Sequence, residues 1–318
     1  MKIGMIGYGS IGRRHVENLL FLGQKDIVLL REIGVGNPHN LQEVSTIEDL
    51  ILAKPQAIIL ANPTSMHSKY LELILKDGID ILAEKPLVSS ISEVNRLERE
   101  LIEYSGVGMT AFNLRFHPCI QKAKEILSSG LLGNIYSARL YVGQYLPDWR
   151  PGKNYSEIYS AKKELGGGVV FDLIHEIDIA CDLFGVPTGR ISSIVDKLSE
   201  LEIDVEDLAE ILFQTKSGSI VSIHLDYLTR GYKRDIHIMA QSGTMDIDLA
   251  SNNIKLNIEG RETRIYSYAK FEKNEMYMDL LSSFLEGSNK GENRSPTLAD
   301  GLISNRIAID IRSTYYQN

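Results

Sequence analysis

The stretch MKIGMIGYGSIG, residues 1–12, decides the fold. Residues 2–7 read as an apolar strand. Gly7, Gly9 and Gly12 follow in the spacing GxGxxG, and residues 13–22 then read as a helix. Each glycine has its own physical reason. Gly7 permits the tight strand-to-helix turn, Gly9 lets the backbone approach a pyrophosphate, and Gly12 lets the helix pack closely on the sheet. The pyrophosphate would rest on the helix N-terminus, whose first amide N–H groups lack partners within the helix. The strand before the motif and the helix after it are the context that dinucleotide binding requires, and an ordinary glycine-rich turn does not.

Outward from this motif, residues 27–30 form a second apolar strand ending at Arg31 and Glu32. An acidic residue there accepts the ribose hydroxyls of NAD, whereas an arginine accommodates the 2′-phosphate of NADP. Arg31 points to NADP and Glu32 to NAD, so the cofactor reading is NAD or NADP. Residues 33–45 carry glycine, proline and asparagine without helical period and read as a loop. Short apolar strands at 56–61, 80–84 and 107–112 then alternate with helices at 46–54, 65–77 and 90–104. This rhythm predicts an α/β Rossmann fold, a doubly wound parallel sheet with helices on both faces. Ligands of such sheets bind beyond the carboxyl ends of the strands. The trailing residues there are 7–12, Arg31, Asn62, Pro63, Thr64, Glu84, Lys85, Pro86 and Asn113.

The rhythm changes near residue 119. A helix at 118–129 precedes strand-like runs at 135–145, 191–197, 207–214, 219–227 and 235–241, with Gly218 and Gly231 read as hairpin turns. Helices near 274–286 and 297–316 close the chain. The expectation is two domains, 1–118 for the dinucleotide and 119–318 for substrate and self-association. The second is an α+β domain with a mostly antiparallel open sheet, whose broad open face predicts an oligomer.

Composition narrows the function. Of 318 residues, 43% are apolar and 24% charged, as in ordinary globular proteins. A net charge of −8 argues against nucleic acid as a partner. No apolar run approaches the ~18 residues of a membrane span. The first strand begins at residue 2, which predicts no signal or transit peptide, and with reduced Cys119 and Cys181 it predicts a cytoplasmic protein. The histidines at 15, 39, 117, 224 and 237 stand without partners at ligand spacing, so no metal site is read.

Three features carry candidate chemistry. Lys85 leaves a strand at its carboxyl end, where its charge would favour ionisation of a substrate hydroxyl; an ordinary surface lysine fits the position as well. In GGGVVFDLIHEIDIACDLFG, residues 166–185, three glycines precede a helix, and Asp172 and His175 stand three apart on one helix face. Imidazole suits proton transfer near neutrality. Asp172, His175, Glu176, Asp178 and Asp182 also make the polar stripe of any half-exposed helix. The third feature is the long aperiodic loop YLPDWRPGKNYSEIYSAKKEL, holding the single tryptophan, Trp149, beside Arg150. It reads as a binding loop or as a packed surface excursion.

Together these pieces resemble the glucose–fructose oxidoreductase / inositol dehydrogenase / MocA family. The resemblance rests on GYGSIG, on ANPTSMH at 61–67, AEKP at 83–86, FNLRFHP at 112–118 and GGGVVFDLIHEID at 166–178. It implies an NAD(P)-dependent oxidoreductase acting on a secondary alcohol or ketone of a sugar or nucleotide sugar, with surface-glycan biosynthesis as a setting. By position, Gly7, Tyr8, Gly9, Ser10, Ile11 and Gly12 would hold the pyrophosphate, and Asn62, Pro63, Thr64 and His67 would line the cofactor cleft. Glu84 and Asn113 would lie near the nicotinamide. Lys85, Asp172 and His175 would be the catalytic group, and Arg115, Trp149 and Arg150 would contact substrate. Subunits would associate through the second sheet as a homodimer or homotetramer. Relatives also include NAD-dependent glycosidases or lyases and non-enzymatic dinucleotide-binding regulators, and these stand as the alternatives. Many members separate the Asp and His by four positions rather than three.

Overall fold

Four consecutive buried residues make each of the strands Ile3–Ile6, Ile27–Leu30 and Ala57–Leu60, which is why their sequences read as unbroken apolar runs. The computed structural model describes residues 1–31 and 36–316. Its first elements are β1 (Ile3–Ile6), α1 (Ser10–Phe21), β2 (Ile27–Leu30), β3 (Gln42–Val44), α2 (Ile47–Leu52), β4 (Ala57–Leu60), α3 (His67–Lys76), β5 (Asp80–Ala83), α4 (Ile91–Glu103) and β6 (Gly108–Thr110). They build a six-stranded parallel sheet in the order β3-β2-β1-β4-β5-β6. β1 lies between β2 and β4, so the winding direction reverses there and opens the crevice beyond the strand ends. Local chemistry sets the helix starts. Thr46 caps α2 by accepting from the Asp49 N–H, and Ser90 with Glu93 forms a reciprocal capping box on α4.

The expected loop at 33–45 is corrected in part. Residues 42–44 form β3, an edge strand held by backbone pairing to β2. Its polar side chains, with Gln42 exposed, carry no apolar period from which a strand is legible. Residues 32–35 lie outside the described residues.

The chain continues with α5 (Pro118–Ser128), β7 (Ile135–Gly143), α6 (Val169–Asp172), α7 (His175–Phe184), β8 (Ser192–Asp196), β9 (Leu208–Gln214), β10 (Ile220–Asp226), β11 (Lys233–Ala240), β12 (Gly243–Asp248), β13 (Asn253–Ile258) and β14 (Arg264–Ser267). The sheet order is β14-β13-β12-β11-β7-β10-β9-β8, antiparallel throughout except for the parallel pair β7–β10. Burial alternates along the strands: Ala209, Ile211 and Phe213 face the core while Glu210 and Leu212 face outward. Gly218, at φ +88°, turns β9 into β10. The hairpin expected at Gly231 is absent, because β7, made much earlier in the chain, occupies the place between β10 and β11. Strands β12–β14 were not anticipated, since asparagine, aspartate and glycine interrupt their short apolar runs.

Two helices follow, α8 (Glu275–Lys290) and α9 (Leu298–Tyr316). Residues 1–113 and 274–306 form one compact unit, and residues 114–273 and 307–318 form the other. The packing thus follows a discontinuous partition rather than a single division after residue 118. Polar side chains show why α8 and the start of α9 join the first unit. Asn18 and Asn274 exchange amide hydrogen bonds of 3.3 and 2.9 Å. The Gly108 N–H donates to Asn293 Oδ1. Asn305 accepts from the Leu87 N–H at 2.8 Å and donates to the Val88 carbonyl at 2.7 Å.

Candidate functional site

The three glycines of the first loop answer to different constraints. Gly7 sits at φ +92°, and a Cβ there would come within 2.6–2.7 Å of the Ala61 and Asn62 backbone. A Cβ at Gly12 would collide with the Gly7 carbonyl oxygen and reach 3.1 Å from Met5 Cε. At Gly9 a Cβ would touch nothing within 4 Å, so no contact among the described residues explains that glycine. Helix α1 begins immediately after it, with no side-chain cap and no acidic residue in its first turn. Its N–H groups and positive dipole end therefore face whatever Gly9 admits, and a pyrophosphate satisfies both. Two guanidinium groups lie over the Tyr8 ring, Arg13 at 5.5 Å and Arg31 at 5.0 Å from its centre. Arg31 Nε is ion-paired with Glu43 Oε1 at 2.9 Å. Glu32 lies outside the described residues.

Beyond β4, both side-chain polar atoms of Asn62 are buried and have no hydrogen-bond partner among the described residues. Buried polar groups seldom go unsatisfied, so this amide fits the polar edge of a ligand in the crevice. His67 fixes the turn: its Nε2 donates to the Asn62 carbonyl at 2.8 Å. Burial lowers the pKa of His67, which keeps the ring neutral. Thr64 is buried and Pro63 exposed in the same turn. Beyond β5, Glu84 Oε1 accepts from His15 Nε2 at 2.8 Å, and its Oε2 accepts from the Lys85 N–H at 3.3 Å. The Lys85–Pro86 bond is cis. Asn113 is buried just past β6. The crevice residues expected from strand ends thus occur there, and His15 joins them. The sequence reading left His15 without a partner; its position three residues after Gly12, one turn into α1, is the signal that places it on the sheet side of the helix.

In the second unit the segment 166–185 departs from expectation. Asp172 ends α6 and His175 opens α7, with Leu173 breaking the helix at φ −100°, ψ 24°. The two side chains therefore do not share one helix face. Nor do the glycines here make room for a ligand. A Cβ at Gly167 would meet the Ser160 carbonyl at 2.7 Å, and one at Gly168, at φ +117°, would meet the Arg312 guanidinium at 2.6 Å. The stripe is half-exposed only in part, because Glu176 and Asp178 are buried. Glu176 pairs with Arg234 at 2.5 and 2.8 Å, and the fully buried Asp178 pairs with Arg115 at 2.6 and 2.9 Å. Asp182 binds Arg115 at 3.2 Å and Lys124 at 2.7 Å. Arg115, a substrate-contact candidate in the sequence, is thus committed to α7.

Asp172 has a partner the sequence did not suggest. Tyr227, with no exposed surface, donates its hydroxyl to Asp172 Oδ2 at 2.7 Å. Burial, and then the Asp172 charge, raise the phenol pKa well above its ordinary value, so it remains a donor. Trp149 stands edge-on to Tyr227 at 5.2 Å and donates its indole N–H to the Gln144 carbonyl at 3.0 Å. The loop around it is ordered by four short 3₁₀ turns and buries Leu146 and Ala161 completely, while Arg150 is exposed.

Residues 1–112 match the family model described as the oxidoreductase family, NAD-binding Rossmann fold, and residues 120–246 match that of the GFO/IDH/MocA C-terminal domain. The chain belongs to the GFO/IDH/MocA family. As in that family description, its first sheet is an NAD-binding Rossmann fold. This GFO/IDH/MocA protein is 24% identical over 321 residues to myo-inositol 2-dehydrogenase of Thermotoga maritima, covering 96% of this chain and 93% of that protein. The solved levoglucosan dehydrogenase in complex with NADH matches at a TM-score of 0.87 and 18% identity, covering 99% of this chain and 96% of that one. UDP-N-acetylglucosamine 3-dehydrogenase from Acidithiobacillus ferrooxidans matches at 0.81 and 19%, covering 100% and 98%. At these identities the two structures establish the shared fold. Among the described residues, no helix is long and apolar enough to cross a membrane.

Proposed function

We propose that this chain is an NAD-dependent dehydrogenase, or in reverse a reductase, for a secondary alcohol of a sugar or nucleotide sugar. The observation that carries it is the cradle at Gly9 and α1, which no contact among the described residues explains, in a protein that also carries Lys85, Asp172 and His175. The named relatives, dehydrogenases of a cyclitol, an anhydrosugar and a nucleotide sugar, support the substrate class. The pyrophosphate would be held by the 7–12 loop, with Asn62, Glu84 and Asn113 along the crevice. NAD, when bound, supplies the hydride acceptor. His175 takes the hydroxyl proton as the carbon-bound hydrogen leaves as hydride and the carbinol becomes a ketone. The Lys85 ammonium donates to a substrate oxygen and stabilises developing negative charge. Asp172, held by Tyr227, orients the imidazole or a neighbouring substrate hydroxyl.

The test is a panel of myo-inositol, levoglucosan and UDP-N-acetylglucosamine with NAD or NADP, following the absorbance of reduced nicotinamide. Net reduction with at least one member is expected. Transient reduction without net change would replace this reading by the NAD-dependent glycosidase or lyase. Tight NADH binding with no turnover of any member would leave the non-enzymatic regulator.

The ion pair of Arg31 with Glu43 favours NAD over NADP, because it offsets the charge that a 2′-phosphate would draw on. Glu43→Gln is expected to tighten NADPH binding about fivefold, equivalent to ~1 kcal/mol, with NADH within twofold. A fluorescence titration showing unchanged NADPH affinity would refute this. The outward face of the second sheet exposes Ile194, Leu212, Ile220 and Met239, and a second copy is the occupant proposed for it, as homodimer or homotetramer. Sedimentation of the purified chain as a monomer would remove that proposal.

A further inference from the structure

The family matches cover residues 1–112 and 120–246 and leave helix α8 outside both. Yet α8 is fastened to α1 by the Asn18–Asn274 amide pair, and one turn later it presents Tyr277. The Arg14 guanidinium lies 4.6 Å over the Tyr277 ring, and the His15 ring meets its edge at 6.4 Å. Burial, and then the charge of Glu84, raise the pKa of its hydroxyl, while the side chains of Arg14 and Asn113 lower it. Tyr277 therefore gathers two residues of the pyrophosphate helix, one residue from the end of β5 and one from beyond β6.

This gathering has a direction. In a doubly wound sheet the dinucleotide lies across the point where strand order reverses, with its pyrophosphate at the N-terminus of the first helix. Its adenosine half then lies toward β2 and β3, and its nicotinamide half toward β4, β5 and β6. Glu84 and Asn113 mark the second side. We propose that Tyr277 is a dinucleotide-binding residue of the nicotinamide half, closing that end of the crevice together with Glu84 and Asn113. Its hydroxyl can give its proton to an acceptor such as the nicotinamide carboxamide oxygen.

The proposal rests on the dinucleotide reading of this crevice, and its test separates the two. Wild type and Tyr277→Phe are titrated with NADH, by fluorescence, and with ADP-ribose, which lacks the nicotinamide, by calorimetry. The substitution keeps the ring beneath Arg14 and removes only the hydroxyl. NADH affinity is expected to fall about fivefold, as for the loss of one hydrogen bond, with ADP-ribose affinity within twofold of wild type. Unchanged NADH affinity would overturn the proposal and leave the crevice assignment standing. Equal weakening of both ligands would also overturn it, making Tyr277 a strut for α1. A wild-type protein that binds neither ligand would end the dinucleotide reading, and this proposal with it.

Discussion

His175→Ala is expected to lower kcat about 10²–10⁴-fold, the range for removal of a positioned general acid–base group, while NADH affinity stays within twofold. The split between the two quantities carries the argument. Every residue given to the dinucleotide cradle belongs to residues 1–113 and 274–306, whereas His175 opens α7 in the other unit. Deleting the imidazole removes the proposed proton acceptor and no part of the cradle. Steady-state kinetics with the best substrate of the panel, beside an NADH titration, measures both. Turnover within threefold of wild type would remove His175 from the mechanism, and a parallel collapse of NADH binding would mean that it acts on the cofactor.

The second large effect is at the glycine loop, where two neighbouring glycines should fail differently. Gly12→Ala drives a Cβ into the Gly7 carbonyl oxygen. The obstacle is backbone, so α1 must lift from β1. Overpacking of this kind costs about 1–3 kcal/mol or more, and the shift should also weaken NADH at least tenfold. Gly9→Ala adds a methyl group that meets nothing among the described residues. Its stability is expected within about 0.5 kcal/mol of wild type, as for a tolerated surface substitution, while NADH affinity still falls at least tenfold. Urea denaturation and NADH titration of both variants make the comparison. Wild-type NADH affinity in Gly9→Ala would mean that the pyrophosphate does not rest there.

The Rossmann half was legible because its signals are local. Four-residue buried strands must be apolar throughout, and Gly7 and Gly12 of the first loop answer to atoms within a few residues or on the adjacent strand. The second half was legible only where strands alternate cleanly, as in β9 and β10. Strand order was not, since β7 enters beside β10 for reasons of sheet closure that no short window contains. The candidate site shows the same division. Glu84, Asn62 and Asn113 follow from strand ends, but the partners that fix Glu84 and Asp172, namely His15 and Tyr227, lie 69 and 55 residues away. The triple glycine misled because glycine signals close approach without saying whose atoms approach. At Gly167 and Gly168 they are the protein's own.

Asn305 completes the turn after Lys85 by binding the Leu87 amide and the Val88 carbonyl. A ribosome therefore delivers all six strands of the nucleotide-binding sheet long before the side chain that secures this turn. Until that asparagine emerges, the nascent domain carries two backbone groups that only water can satisfy. A transcript cut short anywhere between codons 114 and 304 would encode all six strands of that sheet without the clasp of its lysine-bearing corner.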